Sequence, residues 1–462
     1  MWNRLIITTL GLLGFAAIGL AFFALSATPH VSSVLLPGGS SNSVSPIKPD
    51  LQLKFNLPMD KDSVARAIQI SPESEYSLIW QSNTLNIQFT KNLLSGTSYT
   101  LSITTEARDI YGKQFAEEFK FEFMTRRPSF SYIERNGRGN KRDRILSYDM
   151  LSGKSEELFV GGDIDMFART QNFLLVSAID NTKASTLVLK NLETSQTAAI
   201  KPVEGTFYIS KLVGSPVSDM FGVVVQPSTL KSGILIYSGD AEFYVYDPVQ
   251  NTFTREALQN PLDAQFLPDA SGVMYRGNEG IYFIYDLATK KNIDIGRHFA
   301  AGGFSQDGTK IAFVDFNPQP LQPLYPNINI YNRNREVTEF TDGAEFAIDP
   351  EFFHSEDQMV YARKFEEVQG ARGLFELQID GLNRNPLLTI RQADFSLELP
   401  RLSPDDRYIL AERYTRELIL DYENMRNFIF QTKPYTAELV IFDLQEGKWT
   451  DLVLPGVNAV WN

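Results

Sequence analysis

Cysteine is absent from the 462 residues, which excludes disulfides, thiolate metal sites, a Cys nucleophile and lipid attachment through an N-terminal Cys. Stability must therefore come from packing. Histidine is scarce: His30, His298 and His354 lie far apart and in no metal-ligand spacing such as His-Glu-x-x-His. There is no Gly-x-Ser-x-Gly elbow and no Gly-x-x-x-x-Gly-Lys-Ser/Thr loop, so the signatures of an α/β-hydrolase and of a P-loop are both missing. A formal charge of -13 makes the surface repel nucleic acid and anionic lipid wherever no local basic patch overrides it. The expectation is a protein with no cofactor, no metal, no catalytic residue set and no nucleic-acid partner.

What is present begins with an apolar run. Leu5 to Leu25 carries no charged residue, and as a helix it would reach about 31 Å, against a hydrocarbon core of about 30 Å. Arg4 precedes it, and no Lys or Arg follows until Lys48, so the positive-inside rule predicts an N-in anchor with the body outside the cytoplasm. Residues 1–27 are read as this anchor. A cleaved signal peptide is the rival reading, with Leu25-Ser26-Ala27 as its small-residue site, although secretory apolar regions are shorter. Both readings export the chain.

Phe at 33 and Tyr at 19 favour strands, where aromatic side chains pack well, and the body reads as all-β. After a Ser/Gly/Pro-rich stretch from Pro37 to Ser43, four segments alternate apolar residues with a period of two: Leu51 to Phe55, Leu85 to Phe89, Tyr99 to Ile103 and Phe119 to Phe123. That alternation is the mark of half-buried strands, and about 100 residues of it make a sandwich. Five motifs run through residues 29–126 in order: Phe55-Asn56-Leu57-Pro58-Met59-Asp60, Ile68-Gln69-Ile70-Ser71-Pro72, Gly96 to Leu101, Ala107 to Gly112, and Phe121 to Thr125. In these the segment resembles the bacterial Ig-like domain of SbsA-type surface-layer proteins, which implies a spacer or adhesion module. Asp109 to Gly112 has turn chemistry, and Tyr99 reads as a packed core or corner residue. Asp60 and Asp62 are too few for calcium, which takes six to eight oxygens.

The last three quarters of the chain repeat. A strand ending in a turn residue recurs seven times, at Ile145–Asp149, Leu187–Asn191, Phe243–Asp247, Tyr282–Asp286, Ile328–Asn332, Phe375–Asp380 and Leu439–Asp443. Each copy is followed by a polar stretch and another short strand. Upstream in at least four units an apolar residue leads through a polar turn into a strand, most clearly at Gly303 to Phe313 and Leu402 to Leu410. Together they make four-stranded units of a β-propeller over 127–462, with seven blades favoured and six or eight as the neighbouring counts. Phe304 to Gly308 and Leu402 to Asp406 resemble the Ser-Pro-Asp-Gly turn of TolB-like and WD-like propeller repeats. The first unit lacks an inner strand, and Val457 to Asn462 has the length and apolarity to supply it.

Four connections between second and third strands are long: Arg135 to Arg144, Asn317 to Pro326, Lys364 to Gly373 and Tyr414 to Thr436. In a four-stranded blade these emerge on one face, and long loops on a rigid scaffold are where binding resides. The first holds Arg135, Arg138, Lys141, Arg142 and Arg144 against Asp143 alone, a basic spot suited to an anionic partner. The last contains Tyr414 and Tyr422, and Glu417 to Arg426 has the residues of a short lid helix. The reading is a membrane-anchored extracytoplasmic binding or scaffold protein of the cell envelope with a protein, peptide or glycan partner; a carbohydrate-active hydrolase or lyase is the alternative. If the anchor is retained, N-terminal sequencing of membrane-fraction protein will start upstream of Leu5. A mature chain beginning near Thr28 will contradict it.

Overall fold

Strands separated by tight turns make up nearly all of the described chain. The computed structural model describes residues 28–36, 43–44, 46, 49–135, 142–182, 184–316, 326–332, 336–341, 346–354, 358–366, 374–415 and 437–462. Arg138, Lys141, Tyr422, the apolar run from Leu5 to Leu25 and the expected lid helix lie outside the described residues. No helix among the described residues is long and apolar enough to cross a membrane. The chain divides into two units, Met1–Arg127 and Pro128–Asn462.

The first unit is a sandwich of two four-stranded sheets. One contains Asp50–Phe55 and Thr84–Phe89, whose inward residues Leu51, Leu53, Phe55, Leu85, Ile87 and Phe89 are all buried while their neighbours stay at least partly exposed. The other contains Ser98–Ile103 and Phe119–Thr125, and Tyr99 stacks on Phe123 at 5.5 Å across that pair. The Tyr99 hydroxyl accepts the Leu94 N–H at 3.0 Å, so the ring is a packed corner residue. A short helix, Lys61–Ala67, starts where the Asp60 carboxylate accepts the N–H groups of Asp62 and Ser63. Asp60 is thus an N-cap, meeting donors that the first helical turn cannot pair internally.

In the second unit the described residues form seven sheets in chain order, called here I to VII. They cover residues 129–161, 163–200, 206–256, 263–297, 300–339, 347–390 and 395–455, each an antiparallel meander of four strands in sheets II to VII and of three in sheet I. In sheets II to VII the first of the four strands takes one edge. In sheet I that edge is filled by the C-terminal strand Val457–Trp461, which pairs with Ser129–Glu134. Among the described residues no sheet closes on itself as a barrel.

Burial explains why the sheets stack. Second and third strands are buried on both faces, as in Pro326–Asn332, where Pro326 to Tyr331 are all buried, Asn327 and Asn329 among them. Fourth strands expose both faces, as in Pro386–Ile390, where only Ile390 is buried. A strand buried on both faces needs a covering layer on each side. Seven apolar clusters supply the layers, joining I to II, II to III, III to IV, IV to V, V to VI, VI to VII and VII back to I. The last cluster brings Phe130, Tyr132 and Ala459 of sheet I against Tyr408, Leu410 and Leu439 of sheet VII. The succession is propeller-like, and it returns to its start.

Turn chemistry repeats with the sheets. Asp149, Asn191, Asp247, Asp286 and Asp443 end third strands, and in each a side-chain oxygen accepts the main-chain N–H groups two and three residues on, at 2.7–3.1 Å. These are Asx turns, in which the side chain replaces a backbone acceptor. Between first and second strands, Ser305 donates to Asp307 and Ser403 to Asp405, both at 2.6 Å, while each Ser oxygen accepts the N–H five residues on at 2.9 Å.

Trp461 packs edge-on to Phe130 at 5.4 Å, lies over Tyr408 at 6.3 Å and donates its indole N–H to the Arg401 carbonyl at 3.0 Å. Removing Val457 to Asn462 is therefore expected to unfold the second unit at a lower denaturant midpoint and to leave the first unit's transition unchanged. Trp461→Ala should cost about 2 kcal/mol or more by the same measurement. A truncated chain that unfolds like the parent will show that the strand is dispensable.

Candidate binding face

The chemistry of the second unit concentrates at two places, the inner edge of the sheets and the end from which the second-to-third connections leave. At the inner edge, six of the seven edge strands carry a bulge at a matching position. The extra residues are Asp165, Ser210, Gly302 with Gly303, Asp349 with Pro350, Leu399 with Pro400, and Asn458 with Ala459. A bulge breaks the ladder locally and re-aims the side chain it carries. Asp349, Leu399 and Asn458 take φ of 52°, 48° and 55°, in the left-handed region. At Gly302 a Cβ would stand only 2.8 Å from the Pro350 carbonyl oxygen, so the approach of sheets V and VI requires glycine.

Carboxylates of one sheet hold the irregular main chain of the next. Asp143 of sheet I accepts the Ile164 N–H at 3.2 Å, Asp349 of sheet VI accepts Leu399 N–H at 3.3 Å, and Glu412 of sheet VII accepts Asn458 N–H at 2.8 Å. Glu412 also accepts the Tyr414 hydroxyl. Inside this rim is a cavity of about 320 Å³, with Asp165, Lys211, Arg401, Glu412 and Asn458 among its lining residues. Its two cations are matched: Lys211 meets Asp263 at 2.9 Å and Arg401 meets Glu351 at 3.2 Å. Burial, with the Asp165 carboxylate nearby, pushes the Tyr208 hydroxyl up to about 12. It therefore remains a proton donor at neutral pH.

At the loop end, arginine pairs with glutamate across the second and third strands of three sheets. Arg144 stands opposite Glu134, Arg363 opposite Glu376, and Arg413 opposite Glu438. Glu376, wholly buried, accepts from Arg363 at 2.6 Å and also from Arg391. Arg413 reaches Glu438 at 2.6 Å and Gln392 at 3.2 Å. Two guanidinium groups lie over rings, Arg391 over Phe365 and Arg413 over Phe395, both at 4.3 Å. Carboxylate and ring together fix the plane of each guanidinium.

The basic spot read from the sequence is only partly described. Arg135 lies against Asp143 at 3.3 Å and donates to the Ile164 carbonyl at 2.7 Å, and Arg144 is held by Glu134 at 2.8 Å. These two arginines secure the ends of their strands. Tyr414 is buried in the cluster joining sheets I and II. Arg363, Arg391 and Arg413 went unnoticed in the sequence because each meets its partner 13 to 25 residues away. A fifth long connection was also missed: in sheet III the second strand, Phe221–Lys231, runs on and returns as Ile234–Tyr237.

Two of the three histidines, His298 and His354, lie in the second unit, while His30 of the first is exposed. His298 stacks on Phe313 at 3.8 Å and meets Asp315 at 2.9 Å, while His354 meets Asp406 of the next sheet at 2.6 Å. Among the described residues no group of three His, Cys, Asp or Glu is placed to hold a metal.

The class these features define is an all-β chain made of an Ig-like sandwich and a propeller-like ring of sheets. Residues 26–125 match the bacterial Ig-like domain family. No curated protein matches the chain as a relative. Solved structures similar to it include TolB from Acinetobacter baumannii, with 14% identity, TM-score 0.40, 72% of this chain and 82% of that one covered. They also include the β-propeller domain of the Trilobed protease from Pyrococcus furiosus, with 10% identity, TM-score 0.46 and coverage of 79% and 93%. A putative TolB from Agrobacterium tumefaciens aligns with 10% identity, TM-score 0.38 and coverage of 71% and 90%.

Asp315 yields a pH prediction. Burial would push its carboxyl up, but hydrogen bonds from the His298 ring, the Asn329 amide and the Phe299 N–H outweigh it and hold the group below its ordinary value. A depressed folded-state pKa contributes stability above the unfolded value, and that contribution is lost as pH falls through the folded one. Asp315→Asn should therefore flatten the loss of stability on acidification below about pH 4, measured by urea unfolding across pH. An unchanged slope will contradict this.

Proposed function

We propose that this chain is a binding or scaffold protein of the bacterial cell envelope, anchored by residues 5–25, with its body outside the cytoplasm. In this reading the second unit is a seven-bladed propeller closed by the C-terminal strand, and its loop face engages a protein partner. A bacterial Ig-like match suits a spacer in an envelope protein, and the placement of Arg4 and Lys48 around the apolar run suits export.

The observation that carries the reading is the set of fixed guanidinium groups at the loop ends of sheets VI and VII. Arginine and aromatic side chains are enriched where proteins bind one another, and holding them in place beforehand lowers the ordering cost of association. Arg391 keeps half of its side chain exposed, at 51%, while its guanidinium is held by Glu376 and Phe365. Lys211, Arg401 and Glu412 at the cavity bind other charges or hold main chain, which suits recognition more than catalysis.

The test is affinity capture from envelope extracts with the full chain and with Arg391→Ala. The variant should lose about tenfold in partner retention, equivalent to about 1.4 kcal/mol, while its circular dichroism spectrum shows the sheets still folded. Equal retention will remove the loop face of sheets VI and VII from the interface. Capture only on an immobilised glycan array, with no protein recovered, will overturn the protein-partner reading.

A further inference from the structure

Three bulge residues of the inner edge, Asp349, Leu399 and Asn458, hold left-handed backbone, and two of them, Leu399 and Asn458, line the central cavity of about 320 Å³. Backbone strain of this kind persists only where the surrounding structure imposes it, and it collects at ligand clamps and active sites. The cavity stands at the small end of the volumes that enclose ligands, about 300–1,000 Å³. Its occupant is therefore a small molecule and not a folded partner.

The lining combines an apolar wall with charges of both signs. Met166, Phe167 and Leu212 supply the wall. Lys211 of sheet III and Arg401 of sheet VII supply the cations, and neither is saturated by its ion pair. Arg401 engages only Nη1, with Glu351 at 3.2 Å and the Pro400 carbonyl at 3.0 Å, and its Nε and Nη2 meet no acceptor among the described residues. Lys211 meets Asp263 at 2.9 Å, with the two side chains 40% and 44% exposed, and an ammonium carries further protons to donate.

The carboxylates of the lining divide into two kinds. Glu412 is buried, and its oxygens accept the Asn458 N–H and the Tyr414 hydroxyl, so its charge belongs to the framework. Asp165, the extra residue of the sheet II bulge, accepts the Tyr208 hydroxyl. An ionised carboxylate has about four acceptor sites, so one hydroxyl leaves it room for a cationic group.

We infer that the central cavity binds a small zwitterion, a free α-amino acid, with its carboxylate on Arg401 and Lys211, its ammonium on Asp165 and its side chain against Met166, Phe167 and Leu212. A simple anion would set a like charge against Asp165, and a simple amine would face two cations. A zwitterion meets both signs with charge-assisted hydrogen bonds. The apolar wall selects an apolar side chain. This site is separate from the loop ends of sheets VI and VII, and it does not depend on the protein-partner reading.

Thermal unfolding of the full chain with each common amino acid at neutral pH supplies the screen, and calorimetric titration ranks the hits. At least one amino acid with an apolar side chain should raise the unfolding temperature. Its amine analogue, which lacks the carboxylate, and its N-acetyl analogue, which lacks the ammonium, should each bind about tenfold more weakly. Lys211→Met and Asp165→Asn should each weaken the amino acid about tenfold, and the losses should cross. Asp165→Asn should leave the N-acetyl analogue unaffected, and Lys211→Met the amine. Lys211 and Asp263 form a solvent-exposed pair and Asn keeps the shape of Asp165, so both variants should fold; where one does not, the analogue series on the unmodified chain decides. An N-acetyl analogue that binds as tightly as the amino acid will overturn the inference in favour of an anion site, and an amine that does so will overturn it in favour of a cation site. A screen without hits, or a hit indifferent to both variants, will also overturn it, and none of these outcomes bears on the loop face.

Discussion

The architecture of the second unit depends on one constraint: its central strands are buried on both faces. A sheet with one wet face can stop after a single covering layer, but a sheet such as V, with Ile311, Phe313, Ile328 and Tyr331 buried, needs neighbours on both sides. A row of such sheets always leaves two faces uncovered unless the row returns to its start. The cluster of Phe130, Tyr132, Tyr408 and Leu439 is that return. Pairing of Val457–Trp461 with Ser129–Glu134 ties the two ends of the unit into one sheet, so that closure is carried by main-chain hydrogen bonds as well as by apolar contact.

Closure has a geometric cost at the inner edge, where seven strands converge, and the bulges are its local expression. Each bulge leaves main-chain groups without ladder partners, and unpaired buried groups are costly. Asp143, Asp349 and Glu412 meet that need from the adjacent sheet. Carboxylates that look like surface charge in the sequence are therefore structural acceptors between sheets, and the charged lining of the central cavity follows from the same arrangement. The outer rim has the opposite problem. There the strands are exposed, and charges or a leading proline protect the outer strands of every sheet except II.

The loop end of the sheets combines the two regimes. Strand ends there are near enough to solvent for arginine and near enough to the core for its carboxylate partner to be buried, as Glu376 is. The result is a set of cations whose orientation is decided by the fold before any partner arrives. Arg391 shows this most directly, because its position over Phe365 and on Glu376 joins the end of one strand pair to the link that leads into the next sheet.

Much of this was legible in the residues. Period-two alternation located the strands of the Ig-like sandwich, and the terminal Asp or Asn of the repeated strand marked five of the Asx turns, because a turn is decided by neighbours in sequence. The missing edge strand of the first repeat and the apolar C-terminal Val-Trp likewise pointed to each other. The hairpin extension of sheet III was not legible, since nothing in the local pattern says that the end of Phe221–Lys231 pairs with Ile234–Tyr237 beyond the rest of the sheet. Nor were the Arg363–Glu376–Arg391 cluster, the bulges or the central cavity. Local pattern determines which residues form strands and where they turn, because those choices rest on alternation and on side chains a few residues apart. Which edges stay open, which charges meet and where a cavity remains depend on register between strands distant in the chain and on how the sheets converge, and only the tertiary structure decides those.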